Sequence, residues 1–155
     1  MAHIHEKIDF TASAFIVYGD TVVLHKHKKL GIWLQPGGHI ELNEDPVEAV
    51  LREAKEETGL DIELVGAAPL PTDVKSESRQ IMAPRFISRH YFDESRAHEH
   101  IDMVYFARSA SGDISPEEVG GEVRWFTKEE VMDPSLDTLP DIRRYATLAL
   151  EELAT

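Results

Sequence analysis

The 155-residue sequence predicts an α/β domain in which a mixed β-sheet lies between helices. Short segments rich in β-branched and aromatic residues recur along the chain and are separated by turn residues, which is the pattern of strands. Two longer segments carry apolar residues at helical spacing. Because there is no internal repeat, this order of elements favours one sandwich of sheet and helices over an array of small units.

The first strands are expected in residues 10–23, which predict a hairpin with a Gly-Asp turn within 18–21. Residues 33–35 form a short apolar stretch that ends at Pro36, Gly37 and Gly38. Proline and paired glycines favour a turn, and glycine lets the backbone approach a ligand closely. We therefore expect a binding function near this turn.

The strongest helix signal covers residues 45–58. Asp45 can cap the helix, Pro46 suits its first position, and Glu48 completes a capping box. Gly59 then ends the helix. One side of the helix is apolar and is predicted to pack against the sheet, and it carries Val47, Val50, Leu51 and Ala54.

The rest of the chain is predicted to be rich in strands, with a helix at its end. Strands are expected over 60–65, 85–92, 101–107 and 122–126. Residues 127–130, Thr-Lys-Glu-Glu, fit a second capping box that opens a short helix. A last helix over 141–153, following Pro140, has apolar residues at helical spacing and should cover an exposed sheet face.

Length and composition indicate one domain over residues 1–155. The chain is 42% hydrophobic and 29% charged, as in soluble globular proteins, and it has no cysteine. No apolar run reaches the roughly 18 residues that span a bilayer, and the polar start is not a signal peptide. A cytoplasmic location without a membrane partner is therefore expected, and any metal must be bound by oxygen or imidazole.

The charge balance argues against one class of partner. With 16 basic and 29 acidic residues the formal net charge is −13, so polymeric nucleic acid is not an expected ligand. A phosphorylated ligand would need a local counter-charge, which a metal ion or the basic run Lys-His-Lys-Lys at 26–29 would supply. The alternative for that run is a solvated hairpin tip.

Three acids on the first predicted helix form the clearest chemical feature. Glu53, Glu56 and Glu57 stand at i, i+3 and i+4, so their carboxylates are expected on one helix face, turned away from the apolar side. Like charges this close destabilise the helix, and a bound cation compensates for them. Oxygen ligands favour Mg²⁺ or Mn²⁺. For the triple alone, the alternative is a solvated acidic face that Arg52 and Lys55 partly neutralise.

The wider spacing around these acids changes the interpretation. Gly38 is followed by five residues, Glu44, seven residues and then Arg-Glu-Ala-Lys-Glu-Glu-Thr-Gly-Leu at 52–60. This resembles the Nudix box, GX5EX7REUXEEXGU with U a bulky aliphatic residue, and every fixed residue is present. The one departure is Ala54 at the first U position, which removes no catalytic group. The flanking strands also resemble the family's pattern, so the resemblance spans the domain.

The resemblance implies an α/β/α sandwich and hydrolysis of a diphosphate linkage in a nucleoside diphosphate derivative, dependent on Mg²⁺ with Mn²⁺ as a substitute. The metal ligands that it implies are the Gly38 carbonyl and the carboxylates of Glu53, Glu56 and Glu57. It further implies that Arg52 orients a catalytic glutamate. Glu44 would support the loop and helix, or a further metal through water.

The general base is left open by the resemblance. In this family it is a glutamate of the box or an acid on a later loop, so Glu53 and Glu57 compete with Glu117 and Glu118. Glu57 is the favoured candidate. Solvated loop acids are the alternative for Glu117 and Glu118.

Substrate contacts are predicted from basic and histidine side chains. Lys26 and Lys28 are candidates for terminal phosphates, helped by His25 and His27. A second group lies on two neighbouring strands and could line a pocket for a phosphate or a base, because His98, His100 and Asp102 alternate and on a strand would share one face. It comprises Arg85, Arg89, His90, His98, His100 and Asp102. A solvated polar face is the alternative for this second group.

Substrate and function class stay open at this point. Nucleoside triphosphates, nucleotide sugars such as ADP-ribose, and dinucleoside polyphosphates are all candidates, because substrate choice lies in loops outside the box. A Nudix-fold ligand-binding or sensor module without turnover is the second class, and it would usually show a lost box glutamate. An interaction protein with an acidic helix is the third, and it predicts no metal dependence. A homodimer is one expected assembly.

Overall fold

The computed structural model describes residues 6–73, 75–117 and 121–155, which form eight strands and three helices. The strands are β1 (Ile8–Tyr18), β2 (Thr21–Lys26), β3 (Trp33–Leu34), β4 (Gly37–His39), β5 (Ile62–Val65), β6 (Phe86–Tyr91), β7 (Glu99–Ser109) and β8 (Val123–Thr127). The helices are α1 (Pro46–Thr58), α2 (Lys128–Met132) and α3 (Pro140–Leu153). None of the helices in these ranges has the length and apolar character that crossing a membrane requires.

The described strands form one mixed sheet with β1 near its centre. β1 pairs in parallel with β7 and antiparallel with β2 and β4. β5 and β6 pair with β7, and β3 and β8 pair with β2, in each case antiparallel. The mixed sheet predicted from the sequence is therefore confirmed.

Helix α1 covers one face of this sheet, and α3 covers the other, because successive side chains of β1 point to opposite faces. The α1 side of the core contains Ala12, Ala14 and Ile16 of β1 with Ala49, Val50 and Ala54 of α1. The α3 side contains Phe15 and Val17 of β1 with Ala146, Ala149 and Leu150 of α3. Burial of each large apolar side chain contributes about 1.5–3 kcal/mol, so packing against α1 and against α3 both stabilise the sheet. This arrangement confirms the predicted sandwich.

The glycines predicted to form a turn after residue 35 lie in a strand instead. The chain bends at Pro36, and β4 then runs antiparallel to β1, with Gly37 opposite Ser13 and Gly38 opposite Ala12. Neither glycine has a positive φ. A side chain on Gly37 would collide with Ser13, so these glycines are needed for close packing rather than for a turn.

Helix α1 is turned differently from the prediction. Leu51 was expected to face the sheet but is 39% exposed, whereas Glu53 was expected on the polar side but is 8% exposed. The buried side of the helix includes Ala49, Val50 and Ala54. Apolar spacing alone misplaced Glu53, because the room for its carboxylate comes from Gly38 on a different element.

Candidate active site

Both ends of α1 are fixed by specific contacts. Asp45 Oδ1 accepts from the Glu48 amide at 2.8 Å, and the Asp45 amide donates to Glu48 Oε1 at 3.2 Å, which is the predicted capping box. Such a cap contributes about 1 kcal/mol. Gly59 ends the helix at φ 77°, and a side chain there would collide with the Ser115 carbonyl. The helix therefore lies tightly against the loop after β7.

Arg52 connects Glu44, which precedes the helix, to two glutamates of the helix itself. Its guanidinium donates to both carboxylate oxygens of Glu44, with Nη2 at 3.0 Å from Oε2. Nη1 donates to Glu53 Oε1 at 3.0 Å and to Glu56 Oε2 at 3.2 Å. The hydrogen bond from Arg52 holds the pKa of Glu44 below its usual value. One positive charge therefore organises three of the acids.

Glu53 is the buried acid of the site. Its carboxylate lies so close to Gly38 that a Cβ on that glycine would collide with it. Burial and the negative charge of Glu57 raise the pKa of Glu53 to about 7, although Arg52 opposes the shift. A carboxylate held in this way is unstable without compensating positive charge.

Glu57 has its own contacts with two neighbouring strands. Gly37 donates its amide to Glu57 Oε1 at 2.9 Å. His25 of β2 places Nε2 2.8 Å from Glu57 Oε2. Both carboxylate oxygens are therefore oriented by neighbouring strands, and His25 was predicted only as a helper to the basic run.

Glu117 and Glu118 are the two later acids that the sequence predicted as alternative bases. The Glu117 amide donates to the Glu56 carbonyl at 2.9 Å, so the loop carrying Glu117 meets the end of α1. The Glu117 side chain is exposed. Glu118 lies outside the described residues.

A first cavity of about 230 Å³ joins the basic run to the box. The run forms the tip between β2 and β3, as the hairpin-tip alternative stated, and yet its side chains also line a cavity. The lining residues include His25, Lys26, His27, Lys28, Lys29 and Glu57. Lys26 and Lys28 are thereby brought to the same cavity as a box carboxylate.

A second cavity of about 220 Å³ lies on the α3 side of the sheet and has a polar floor. Asp102 is 4% exposed and accepts hydrogen bonds from Thr11 Oγ1 at 2.9 Å and Ser13 Oγ at 2.7 Å. Gln35 donates to Ser13 Oγ at 3.2 Å. Burial raises the pKa of Asp102. His100 also lines this cavity, and apolar walls are provided by Leu34, Leu139, Ile142 and Tyr145.

The sequence interpretation missed Thr11, Ser13 and Gln35. A signal existed, because Asp9, Thr11 and Ser13 alternate with apolar residues along β1 and therefore place three polar side chains on one face of a buried strand. Such a face must find hydrogen-bond partners inside the protein.

Arg85 is not brought to either cavity. Its guanidinium pairs with Glu152 of α3, with Nη1 2.6 Å from Oε2. It also lies over the Phe106 ring, 5.0 Å from the centroid. These contacts join β6 to α3 on the side of the core rather than at the box.

Comparison with known proteins agrees with this geometry. The model of the NUDIX domain matches residues 8–148, which is most of the chain. The chain belongs to the NUDIX hydrolase family. The resemblance stated from the box is thereby confirmed, and so is the family's fold.

Solved structures of NUDIX proteins match along nearly the whole chain. A NUDIX-family hydrolase from Clostridium perfringens is 37% identical with a TM-score of 0.79, covering 93% of this chain and 97% of that one. A MutT NUDIX hydrolase from Burkholderia pseudomallei is 25% identical with a TM-score of 0.62, covering 96% and 100%. The m7GpppN-mRNA hydrolase NUDT17 of Xenopus laevis is 56% identical over only 34 residues, which are 22% of this chain and 12% of that protein.

Proposed function

We propose that the chain hydrolyses a diphosphate linkage in a nucleoside diphosphate derivative, with Mg²⁺ or Mn²⁺ as its cofactor. The observation that carries the proposal is the gathering of Glu53, Glu56 and Glu57 around Arg52 and the glycines of β4. Members of the family typically depend on a divalent metal, and their substrates are small diphosphate compounds. The intact box supports turnover over a sensor role.

The acids of the box fit a hard divalent cation. Their donors are all oxygen, which suits Mg²⁺ and Mn²⁺. Arg52 supplies one positive charge against Glu44, Glu53 and Glu56, so net negative charge remains for an ion to balance. Glu53, Glu56, Glu57 and the Gly38 carbonyl are the ligands that we propose. When bound, the metal offsets the negative charge of the phosphoryl oxygens.

The other residues of the box position groups and move a proton. Arg52 orients Glu53 and Glu56 by the hydrogen bonds described above. Glu57 is our proposed general base, because the Gly37 amide and His25 fix both of its carboxylate oxygens. Its Oε2 would accept the proton of the attacking water beside His25. Glu118 stays an alternative base.

The two cavities suggest where the two ends of such a substrate lie. Lys26 and Lys28 line the first cavity beside Glu57 and would bind terminal phosphates, offsetting the net charge of −13. The second cavity has apolar walls over a floor of polar groups, the combination that suits a base or sugar. His100 would contribute to its wall. Arg85 is not part of the proposed site.

The proposal is tested by product analysis on a panel of diphosphate compounds. The panel contains nucleoside triphosphates, ADP-ribose, other nucleotide sugars and dinucleoside polyphosphates, each assayed with Mg²⁺, with Mn²⁺ and with a chelator. We expect metal-dependent cleavage of at least one class. Glu56→Gln and Glu57→Gln should lower kcat by roughly a hundredfold or more, because each removes charge stabilisation at the reacting group.

Glu63→Gln is the matched control, because Glu63 is an exposed acid on β5 away from the box. It should leave kcat unchanged. Binding of a panel compound without metal-dependent cleavage would support the sensor alternative instead. Full activity of both box variants would show that the metal is not held by these acids.

A further inference from the structure

A group of histidines and one aspartate lies on the α3 side of the sheet and includes none of the fixed residues of the box. β1, β4 and β7 contribute to it at neighbouring positions, and Asp9 is directly opposite His100 in the parallel pair of β1 and β7. We call this group the histidine cluster, and it consists of Asp9, His39, His98 and His100. None of its members is a fixed residue of the box, because His39 occupies the variable position directly after Gly38.

The ligand atoms of the cluster are close enough to share one ion. One donor atom each from Asp9, His98 and His100 lie within 4.8 Å of one another. His98 Nε2 is 2.9 Å and His39 Nε2 is 3.3 Å from the same oxygen, Asp9 Oδ2. Ligands of a tetrahedral zinc ion with bonds of about 2.0 Å are themselves about 3.3 Å apart. The spacing is thus near that of a zinc site with three protein ligands, Asp9, His98 and His100, with His39 beside Asp9.

The contacts of His98 indicate which of its two ring nitrogens carries the proton and which one has a lone pair directed at Asp9. His98 Nδ1 is 3.2 Å from the Glu6 carbonyl oxygen, which can only accept, so Nδ1 carries the ring proton. In a neutral imidazole, Nε2 then turns a lone pair toward the Asp9 carboxylate. This contact needs a positive species between the two groups. A backbone carbonyl that orients the second ring nitrogen is also the usual arrangement around histidines that bind metals.

Burial limits how much positive charge protons alone can supply to the cluster. Asp9 is 1% exposed and His100 is 9% exposed, so charge in the cluster is poorly solvated. Burial, together with the neighbouring His39, His90 and His98, lowers the pKa of His100 to about 4, although Asp9 opposes the shift. His100 is therefore a neutral imidazole at neutral pH, which is the form that binds metals.

We propose that the histidine cluster binds a divalent transition-metal ion of the zinc class, separate from the magnesium-type site of the box. The two imidazoles of His98 and His100 and the carboxylate of Asp9 are ligands that Zn²⁺ accepts, whereas Mg²⁺ does not favour imidazole. The ion would join β1, through Asp9, to the start of β7 and fix the His100 ring in the wall of the second cavity. This site goes beyond the proposed hydrolysis and does not require it.

The test measures Zn²⁺ binding by equilibrium dialysis of the full chain, with excess Mg²⁺ present to occupy the box. We expect one tightly bound Zn²⁺ per chain and a rise in Tm on adding it. Asp9→Asn and His98→Gln should each weaken Zn²⁺ binding at least tenfold and abolish that rise. The double variant Glu56→Gln and Glu57→Gln should keep both the Zn²⁺ and the rise in Tm. Because this experiment measures Zn²⁺ binding and Tm, its result does not depend on any hydrolytic activity.

A second control addresses His3 and His5, which the sequence places near the start of the chain. The His3→Ala and His5→Ala double variant should retain its Zn²⁺. Loss of binding in that variant, or equal binding by wild type, Asp9→Asn and His98→Gln, would overturn the proposal. If the cluster variants fail to fold, X-ray absorption of the Zn²⁺ complex of the otherwise unchanged chain decides the matter. Two or three imidazole ligands support the site, and one or none, or no binding at micromolar Zn²⁺, overturns it.

Discussion

The carboxylates of the box and the carboxyl of Asp102 lie on opposite faces of one sheet and are held in opposite ways. On the α1 face, the acids share the charged donor Arg52. On the α3 face, the partners of Asp102 are the hydroxyls of Thr11 and Ser13. A charged partner favours the ionised carboxylate, as at Glu44, whereas burial favours the protonated acid, as at Asp102 despite its hydroxyl donors; at Glu53 the two effects compete. The same chemical group thus suits a charge-based role on one face and a neutral hydrogen-bonding role on the other.

Removing the positive side chain of Arg52 from the box should produce the largest effect. Arg52→Met leaves the buried Glu53 carboxylate without its partner, which typically costs about 3–5 kcal/mol. For a chain of this size the expected fall in Tm is roughly 6–20 °C, at about 2–4 °C per kcal/mol. Thermal unfolding in a chelator measures it, and hydrolysis should be lost as well.

The matched control for that change is Arg85→Met, which breaks the partly exposed pair with Glu152. Exposed pairs contribute about 1 kcal/mol or less, so Tm should fall by at most about 4 °C. Equal falls in the two variants would show that the box carries no special charge network. The contrast between the faces would then be unsupported.

Filling the space beside Glu53 tests whether activity requires its carboxylate to be buried against Gly38. Gly38→Ala places a methyl group against that carboxylate, so the acid has to move. We expect stability to fall by about 1–3 kcal/mol, as for an overpacked core, and hydrolysis to fall tenfold or more. Gly66→Ala is the control, because its new side chain meets only Met82 at ordinary contact distance. Undiminished activity of Gly38→Ala would refute the need for close approach.

The difference between the faces also explains what the sequence could predict. The box acids lie within one helix and one preceding loop, so fixed spacing and the capping signals at Asp45 and Gly59 revealed them. The floor of the second cavity joins Thr11 and Ser13 to Asp102, some ninety residues later. That meeting depends on parallel pairing of β1 with β7, which no local pattern specifies. Strand positions were therefore predictable, but their neighbours were not.

The orientation of α1 shows the same limit at short range. Apolar spacing suggested that Leu51 faces the sheet and that Glu53 faces solvent, and the structure reverses both. The deciding factor is the absence of a side chain at Gly38, which lies on another strand. Periodicity describes one helix alone and cannot include such a partner.

The raised pKa of Glu53 predicts how metal-free stability depends on pH. Its folded pKa is about 7 against an ordinary value of 4.5, so between these values the folded state binds more protons than the unfolded state. Stability from this group is therefore present at low pH and is lost as pH rises toward 7. The lowered pKa of Glu44 acts in the opposite direction, so the useful quantity is the difference between wild type and Glu53→Gln.

We expect Glu53→Gln to gain stability relative to wild type as the pH is raised from about 5 to about 8 in a chelator. The gain should amount to a few degrees in Tm, and saturating Mg²⁺ should remove it by stabilising the ionised wild-type site. Thermal unfolding across this pH range measures both effects. A difference in Tm that does not change with pH would show that Glu53 does not titrate there.

Asp102→Asn should have the smallest effect, and it tests most directly whether the two faces of the sheet have different roles. Asparagine keeps the shape of the protonated acid and still accepts from a hydroxyl, so the expected cost is about 1 kcal/mol or less near neutral pH. Because the raised pKa of Asp102 costs stability as pH rises, the variant should become relatively more stable at higher pH.

If this face recognises substrate while the box performs chemistry, Asp102→Asn should change KM severalfold with kcat nearly constant, and the exposed Asp113→Asn should change neither. A fall in kcat like that of Glu57→Gln would place Asp102 in the reaction itself, because loss of a group that binds substrate and transition state equally cannot slow the chemical step.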